Sequence, residues 1–220
     1  MKLTKEGNAI IEGDNYLSAD IERAGRLDVA RDVLLQYKPY IPEGGVVLDI
    51  GACLGDFTAT FREFVGYSGQ VHAFEPNPAV FACLCYNMAK YHNVLLYGIA
   101  LGECKRWTSI VLDNNNIGAS YLKAIGGDTR VWPLDLLEFP HVNFIKIDAE
   151  GYEPWVLDGA QATLSKLKPP LLVEIDQRAL GFQGFTPKDV HARLDALGYD
   201  FPRFDGAHGD ILCLPKGGRK

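Results

Sequence analysis

The chain has 220 residues, 47% of them hydrophobic and 23% charged, with a formal net charge of −6. That length and balance suit one well-buried domain and exclude disordered and fibrous classes. The acidic balance, with Lys and Arg scattered, argues against a nucleic-acid binder, and the short basic run of Lys216, Arg219 and Lys220 reads as a solvated terminus.

The first residues, Met1-Lys2-Leu3-Thr4-Lys5-Glu6, lack the apolar run of a secretory signal, and no stretch approaches the length of a membrane span. A cytoplasmic setting is expected. The five cysteines, Cys53, Cys83, Cys85, Cys104 and Cys213, show no zinc-ligand spacing and read as reduced, mostly buried thiols. A helix is predicted over Ile21–Tyr37, stopped by Pro39 and Pro42, so that residues 1–42 form an N-terminal helical cap before a domain over 43–220.

The strand Val46–Ile50 runs straight into a glycine loop, Gly51-Ala52-Cys53-Leu54-Gly55, and a helix opens at Asp56. Glycines let a backbone approach a ligand closely, and a helix start presents unpaired N–H groups, so a Cβ at Gly51 or Gly55 is expected to project into the ligand or its loop. The next strand, Val71–Phe74, ends on Glu75, twenty residues after Gly55, where a carboxylate can accept both hydrogen bonds from a ribose diol. A dinucleotide loop needs a second glycine where Cys53 stands. The spacing found here leaves room for a nucleoside with a short, unphosphorylated extension, which S-adenosylmethionine satisfies. Its ribose is placed on Glu75, its amino-acid part near Asp49 and Gly51, and its adenine beside Ile99-Ala100-Leu101. Ala52, Gly55 and Asn77 complete the predicted cofactor set with Ala100.

Pro76 and Pro78 start the helix that carries Phe81–Met88, and further strands are predicted over Val94–Ile99, Val142–Ile147 and Leu171–Ile175. This alternation predicts an α/β fold of the Rossmann-like kind, a mostly parallel sheet with helices on both faces. Extra extended segments, Trp107–Leu112 and Thr129–Trp132, flank a polar loop from Asp113 to Ser120, in which Asn116 and Ser120 are expected to contact the acceptor. At the end, Tyr199–Phe204 and Ile211–Leu214 bracket Asp205 to Gly209 as an antiparallel hairpin at the sheet edge.

A second constellation is Phe144-Ile145-Lys146-Ile147-Asp148-Ala149-Glu150-Gly151-Tyr152-Glu153. Alternate residues of a strand share a face, so Lys146 and Asp148 point the same way and Glu150 leaves at the carboxyl end, where open α/β sheets bind ligands. Glu174 and Asp176 repeat the pattern on the following strand. Asp148 is the expected base or metal ligand, with Lys146, Glu150 and Glu174 beside it; Asp148, Glu174 and Asp176 are the candidate ligands for Mg²⁺ or Mn²⁺. Plainer readings are Lys146 paired with Glu174 to satisfy a buried charge, and Glu153 as a solvated acid at a helix start. Among the histidines, only His208 sits where a glycine-flanked turn can fold over the sheet end; His191 reads as helix surface.

Val46–Ala52, Ala-Phe-Glu-Pro-Asn-Pro from Ala73, the run from Phe144 to Glu153 and Val-Leu-Asp-Gly-Ala from Val156 together resemble the FkbM family of S-adenosylmethionine-dependent methyltransferases. The resemblance covers Val46 to Ile175, and its specific part is the lysine–aspartate–glutamate–glycine run. Cys53-Leu54 departs from the expected loop residues and leaves both glycines intact. What the resemblance implies is a class I methyltransferase fold and methylation of a hydroxyl on a sugar, glycan or natural product. A nicotinamide oxidoreductase is the competing reading, favoured by the acid at twenty residues and disfavoured by the missing glycine. A non-catalytic adenosyl-binding module would need no polar cluster.

Overall fold

The computed structural model describes residues 1–123, 126–204 and 206–217; Asp205, Arg219 and Lys220, singled out above, lie outside the described residues. The chain opens with a short antiparallel pair, β1 (Lys2–Leu3) and β2 (Ala9–Ile10). Next come α1 (Leu17–Ala24), α2 (Arg31–Leu34) and a 3-10 helix over Leu35–Tyr40. The single helix expected over Ile21–Tyr37 is therefore broken. Gly25, at φ 66°, ends α1 in the left-handed region, and Pro39 falls inside the 3-10 helix rather than beyond a helix end. Residues 1–42 are also tied to the rest of the domain: Ala9, Ile10 and Ile21 pack with Leu54, Leu84 and Met88. The Asn87 side chain accepts the Ala9 N–H at 2.7 Å and donates to the Ala9 and Leu54 carbonyls, each at 2.9 Å.

The valine-rich run Val46–Ile50 forms β3, buried at every residue, and leads to α3 (Asp56–Val65), β4 (Gln70–Phe74), α4 (Pro78–Met88) and β5 (Val94–Tyr97). The strand expected over Val94–Ile99 divides after Tyr97, and β6 (Ala100–Leu101) joins a second sheet. There it lies beside β9 (Thr129–Trp132), with β7 (Arg106–Val111) and β8 (Tyr121–Lys123) completing the order β6-β9-β7-β8. The chain returns to the main sheet as β10 (Phe144–Ile147), then α5 (Glu153–Asp158), α6 (Gln161–Leu167), β11 (Leu171–Asp176), α7 (Gln177–Phe182) and α8 (Pro187–Ala196). It ends in β12 (Tyr199–Asp200) and β13 (His208–Pro215).

The seven strands of the main sheet run in the order β12-β13-β11-β10-β3-β4-β5. β11, β10, β3, β4 and β5 are mutually parallel, whereas β13 pairs antiparallel with both β11 and β12. This is the expected class I methyltransferase architecture. From β3 the chain steps to β4 on one side and, later, to β10 on the other, which opens a crevice at the carboxyl ends of these strands. Register sets Asp49 beside Lys146 across β3 and β10, and Glu174 opposite Asp210 across β11 and β13. Among the described residues, no helix is long and apolar enough to cross a membrane.

Candidate active site

The crevice is bounded on one side by the loop after β3. Gly51, Cys53 and Gly55 adopt φ of 77°, 47° and 97°. The glycines serve a different purpose from the one expected. A Cβ on Gly51 would stand 1.8 Å from the Asp148 carbonyl oxygen, and one on Gly55 would meet Leu84 Cδ1 at 2.9 Å and Met88 Cε at 3.0 Å. They let the loop close on the end of β10 and on α4, so their contribution is packing rather than room for a ligand. Only Gly51 and Cys53 of the loop glycines and cysteine line the cavity. Ala52 is buried, with its N–H on the Phe74 carbonyl. Asp49 is 0% exposed and lies beneath the loop, accepting from Thr58 Oγ1 at 2.5 Å. Asp49, Ala52 and Gly55 thus shape the loop from behind and do not line the crevice, which corrects their assignment as cofactor contacts.

Glu75 ends β4 inside the cavity wall. Its Oε2 accepts the Cys53 N–H at 3.1 Å and its Oε1 accepts the Asn77 N–H at 2.8 Å. Burial pushes this carboxyl up to about 7, against the pull of the two N–H groups. Asn77 caps α4 by accepting the Ala79 N–H, while its buried Nδ2 has no hydrogen-bond partner among the described residues. Phe74, Val80, Ile99, Ala100 and Leu101 supply an apolar slot beside these polar groups. A carboxylate with free lone pairs, a buried donor awaiting an acceptor and an apolar slot fit a purine nucleoside with a ribose diol.

On the other side stands the lysine-centred cluster. Lys146 Nζ donates to the Gly51 carbonyl at 2.7 Å and lies 3.0 Å from Asp148 Oδ2 and 3.6 Å from Asp49 Oδ1. Burial lowers its proton affinity, but the charges of Asp148 and Asp49 outweigh that and hold it cationic. Its partners are therefore these two aspartates, not Glu174. Asp148, its side chain 32% exposed, faces the cavity with Lys146 behind it. Burial, then the Asp148 charge, pushes Glu150 up to about 9 and Glu174 up to about 11. These shifts favour the neutral carboxyl, and Glu174 Oε1 meets His208 Nε2 at 2.8 Å. The oxygens of Asp148, Glu150 and Glu174 all lie within 4.8 Å of one another. Asp176 does not join them. It caps α7 by accepting the Arg178 and Ala179 N–H groups at 2.7 and 3.0 Å, so it is withdrawn from the candidate ligand set.

Glu153 is buried rather than solvated. Its carboxylate accepts the Ala149 and Gly151 N–H groups at 2.8 and 3.2 Å, and burial pushes it up to about 7. It braces a turn in which Glu150 and Gly151 hold φ of 52° and 88°. The signal was present in the sequence, because a turn of this kind leaves N–H groups that a nearby acid can satisfy. Asp56, Phe57 and Tyr152 also line the cavity with no signal in the sequence to mark them; their spacing is that of ordinary helix and loop residues. His191, expected on a helix surface, is buried against Phe201.

The mouth is formed by the loop before β8. Ile117, Gly118, Ser120 and Tyr121 line it, and Ser120 Oγ accepts the Asp113 N–H at 3.1 Å. Asn116 stands outside the lining, its N–H held by Asp113 Oδ1, so of the two predicted acceptor contacts only Ser120 faces the cavity. Tyr121 stacks on Phe182 at 5.0 Å, and the Arg178 guanidinium lies 5.6 Å from that ring.

Residues 49–201 match the methyltransferase FkbM domain. Over 176 residues the chain is 30% identical to the hexuronic acid methyltransferase AglP of Haloferax volcanii, covering 76% of this chain and 66% of that one. A methyltransferase FkbM from Methylobacillus flagellatus superposes with a TM-score of 0.53 at 21% identity, over 77% of this chain and 43% of its own. Fibrillarin of Aeropyrum pernix, crystallised with natively bound S-adenosyl-L-methionine, shares the fold with a TM-score of 0.51 at 16% identity, over 79% of this chain and 68% of its own. The chain thus spans about two thirds of AglP and less than half of the Methylobacillus protein. The nicotinamide reading is set aside, and the chain belongs to the FkbM family of S-adenosylmethionine-dependent methyltransferases.

Proposed function

We propose that the protein transfers a methyl group to a hydroxyl of a sugar, within a glycan that contains uronic acid. The observation that carries this reading is Asp148, a cavity-facing side chain held by Lys146 at 3.0 Å, with the Glu150 and Glu174 carboxyl oxygens within 4.8 Å of it. Bound S-adenosylmethionine supplies an electrophilic methyl on a sulfonium, and the residues that would hold it are Glu75 at the ribose, Asn77 and the Phe74–Leu101 slot at the base, and Gly51 with Cys53 toward the amino acid.

The chain's own task is then to align the acceptor, exclude water and receive a proton. An alcohol is a poor nucleophile at neutral pH, and a carboxylate within hydrogen-bond reach takes its proton as the new C–O bond forms. Lys146 keeps Asp148 in place at 3.0 Å, and Glu174 lies beside it, held by His208. Ser120 and the Tyr121–Phe182 pair at the mouth suit a polyhydroxyl ring, with polar edges for the hydroxyl and aromatic faces for the C–H surface. The identity to a hexuronic acid methyltransferase supports the acidic-sugar choice.

Incubation with methyl-labelled S-adenosylmethionine and a panel of free and oligomeric uronic acids, neutral sugars and non-sugar alcohols tests the reading. O-methylated uronate, identified by mass and by its methyl resonance, is expected. Methylation confined to a nitrogen, a carbon or a non-sugar alcohol refutes it. The three clustered carboxylates also suit a divalent cation through oxygen ligands, as a second reading. Loss of activity in EDTA and recovery in Mg²⁺ or Mn²⁺ would select it over a purely carboxylate base.

A further inference from the structure

The small sheet has two unlike faces. One is buried, carrying Thr108, Leu122, Thr129 and Val131 toward the core. The other is exposed along β7 and β9, at Trp107 and Arg130, while Tyr121 at its β8 end stacks on Phe182. Trp107 pairs with Arg130 across β7 and β9, and Ser109 pairs with Lys123 across β7 and β8. Alternation therefore puts Trp107, Lys123, Arg130 and Trp132 on the same side, and Lys105, just before β7, reaches it through Trp132. The Arg130 guanidinium lies 5.2 Å from the Trp107 ring centre and Lys105 Nζ lies 4.4 Å from that of Trp132. Trp107 is 54% exposed. No carboxylate among the described residues stands within ion-pair distance of Lys105, Lys123 or Arg130. In a chain of net charge −6 such a surface is out of keeping with the rest.

We infer that this face binds an acidic oligosaccharide, the part of the glycan that extends beyond the residue being methylated. This rests on the sugar-acceptor reading above. The chemistry matches in two respects. Cations laid on tryptophan rings are pre-ordered and keep outward N–H groups for carboxylates, and the exposed indole edges and faces take the C–H surfaces of pyranose rings. Three neighbouring strands spread these groups over roughly 10 Å, more than a single sugar residue requires. The face also runs into the site: Tyr121 lies on the same side of β8 as Lys123 and lines the cavity mouth. A glycan held on Trp107 and Arg130 is thereby led past Tyr121 toward Asp148.

The test is calorimetric and electrophoretic binding of oligogalacturonate, with a neutral malto-oligosaccharide and single-stranded RNA as comparisons, to the wild type and to Trp107→Ala/Arg130→Ala. These side chains are exposed, and unchanged melting together with unchanged S-adenosylhomocysteine affinity certifies the fold of the variant. Wild-type protein is expected to bind oligogalacturonate, weakly at high salt, and the double variant to bind it roughly tenfold or more weakly. Methylation of a free uronate is expected to stay the same in the variant. Equal binding by the variant, equal binding of the neutral sugar, or tighter binding of RNA overturns the inference. A wild type that binds oligogalacturonate but methylates no sugar hydroxyl overturns the acceptor reading alone.

Discussion

Removing the Lys146 charge is the perturbation with the most to reveal, because that ammonium is buried against three acceptors and serves both the fold and the site. In Lys146→Met the shape is roughly kept, while Asp49, 0% exposed, loses the cation 3.6 Å away. Breaking a buried ion pair from one side costs about 3–5 kcal/mol, since the remaining charge is left in a poorly solvating interior. At roughly 2–4 °C per kcal/mol for a chain of this size, melting should fall by about 6–20 °C. The loss should depend on pH. Burial already raises Asp49 above its ordinary range, and Lys146 opposes that rise. Without the lysine the folded-state value climbs further above the unfolded one. The carboxyl then folds protonated, and stability that is present in acid is lost as pH rises toward the raised value. Urea unfolding at pH 5 and pH 8 checks this, with a larger deficit expected at pH 8. Lys146→Met/Asp49→Asn should recover most of the loss at pH 8, because the amide needs no counter-charge. A single variant within 1 kcal/mol of wild type, or a double variant no better than the single, would refute the placement of this pair in the folding energetics.

Glu75→Gln should weaken S-adenosylhomocysteine binding by about 2–4 kcal/mol, the worth of two charge-assisted hydrogen bonds. Because the diol donates to the ionised carboxylate and Glu75 sits at about 7, wild-type affinity should rise roughly tenfold per unit from pH 5 to pH 7 and then level off, whereas the variant stays flat in calorimetry. A flat wild-type profile would remove Glu75 from the ribose. Asp148→Asn should lower kcat by roughly 10²–10⁴ with cofactor affinity retained, and normal turnover would make the cluster a structural ion-pair network. Gly51→Ala should destabilise the protein because its Cβ runs into the Asp148 carbonyl, with the deficit read by chemical unfolding; wild-type stability would contradict the close approach of these two loops. Asn87→Ala should cost on the order of 1–3 kcal/mol by leaving the Ala9 and Leu54 groups unpaired, and hydrogen exchange should show β2 opening first.

Much of the fold was legible without coordinates because its signals are local. Five apolar strands separated by helical periodicity define a parallel sheet, and their carboxyl ends mark the crevice whatever the details of packing. Glu75 and the Lys146–Asp148 pair were readable for the same reason, since strand position and alternation dictate where such residues point. The resemblance to the FkbM family lay in those same runs. What local pattern cannot convey is which partner a group meets across the sheet. Asp49 looks like a cofactor ligand in sequence, yet pairing of β3 with β10 buries it under Lys146. Gly51 and Gly55 look like ligand clearances, yet they clear the Asp148 carbonyl and α4. Asp176 alternates with Glu174 on one strand but turns into a helix cap where α7 begins. Glu153 reads as a surface acid until the positive-φ turn at Glu150 and Gly151 directs two N–H groups onto it. Tyr121 and Phe182, far apart in the chain, meet only because α7 lies against the free edge of β8. In each case a contact between segments distant in sequence decides the role, and its free energy depends on burial, which exists only once the chain has folded.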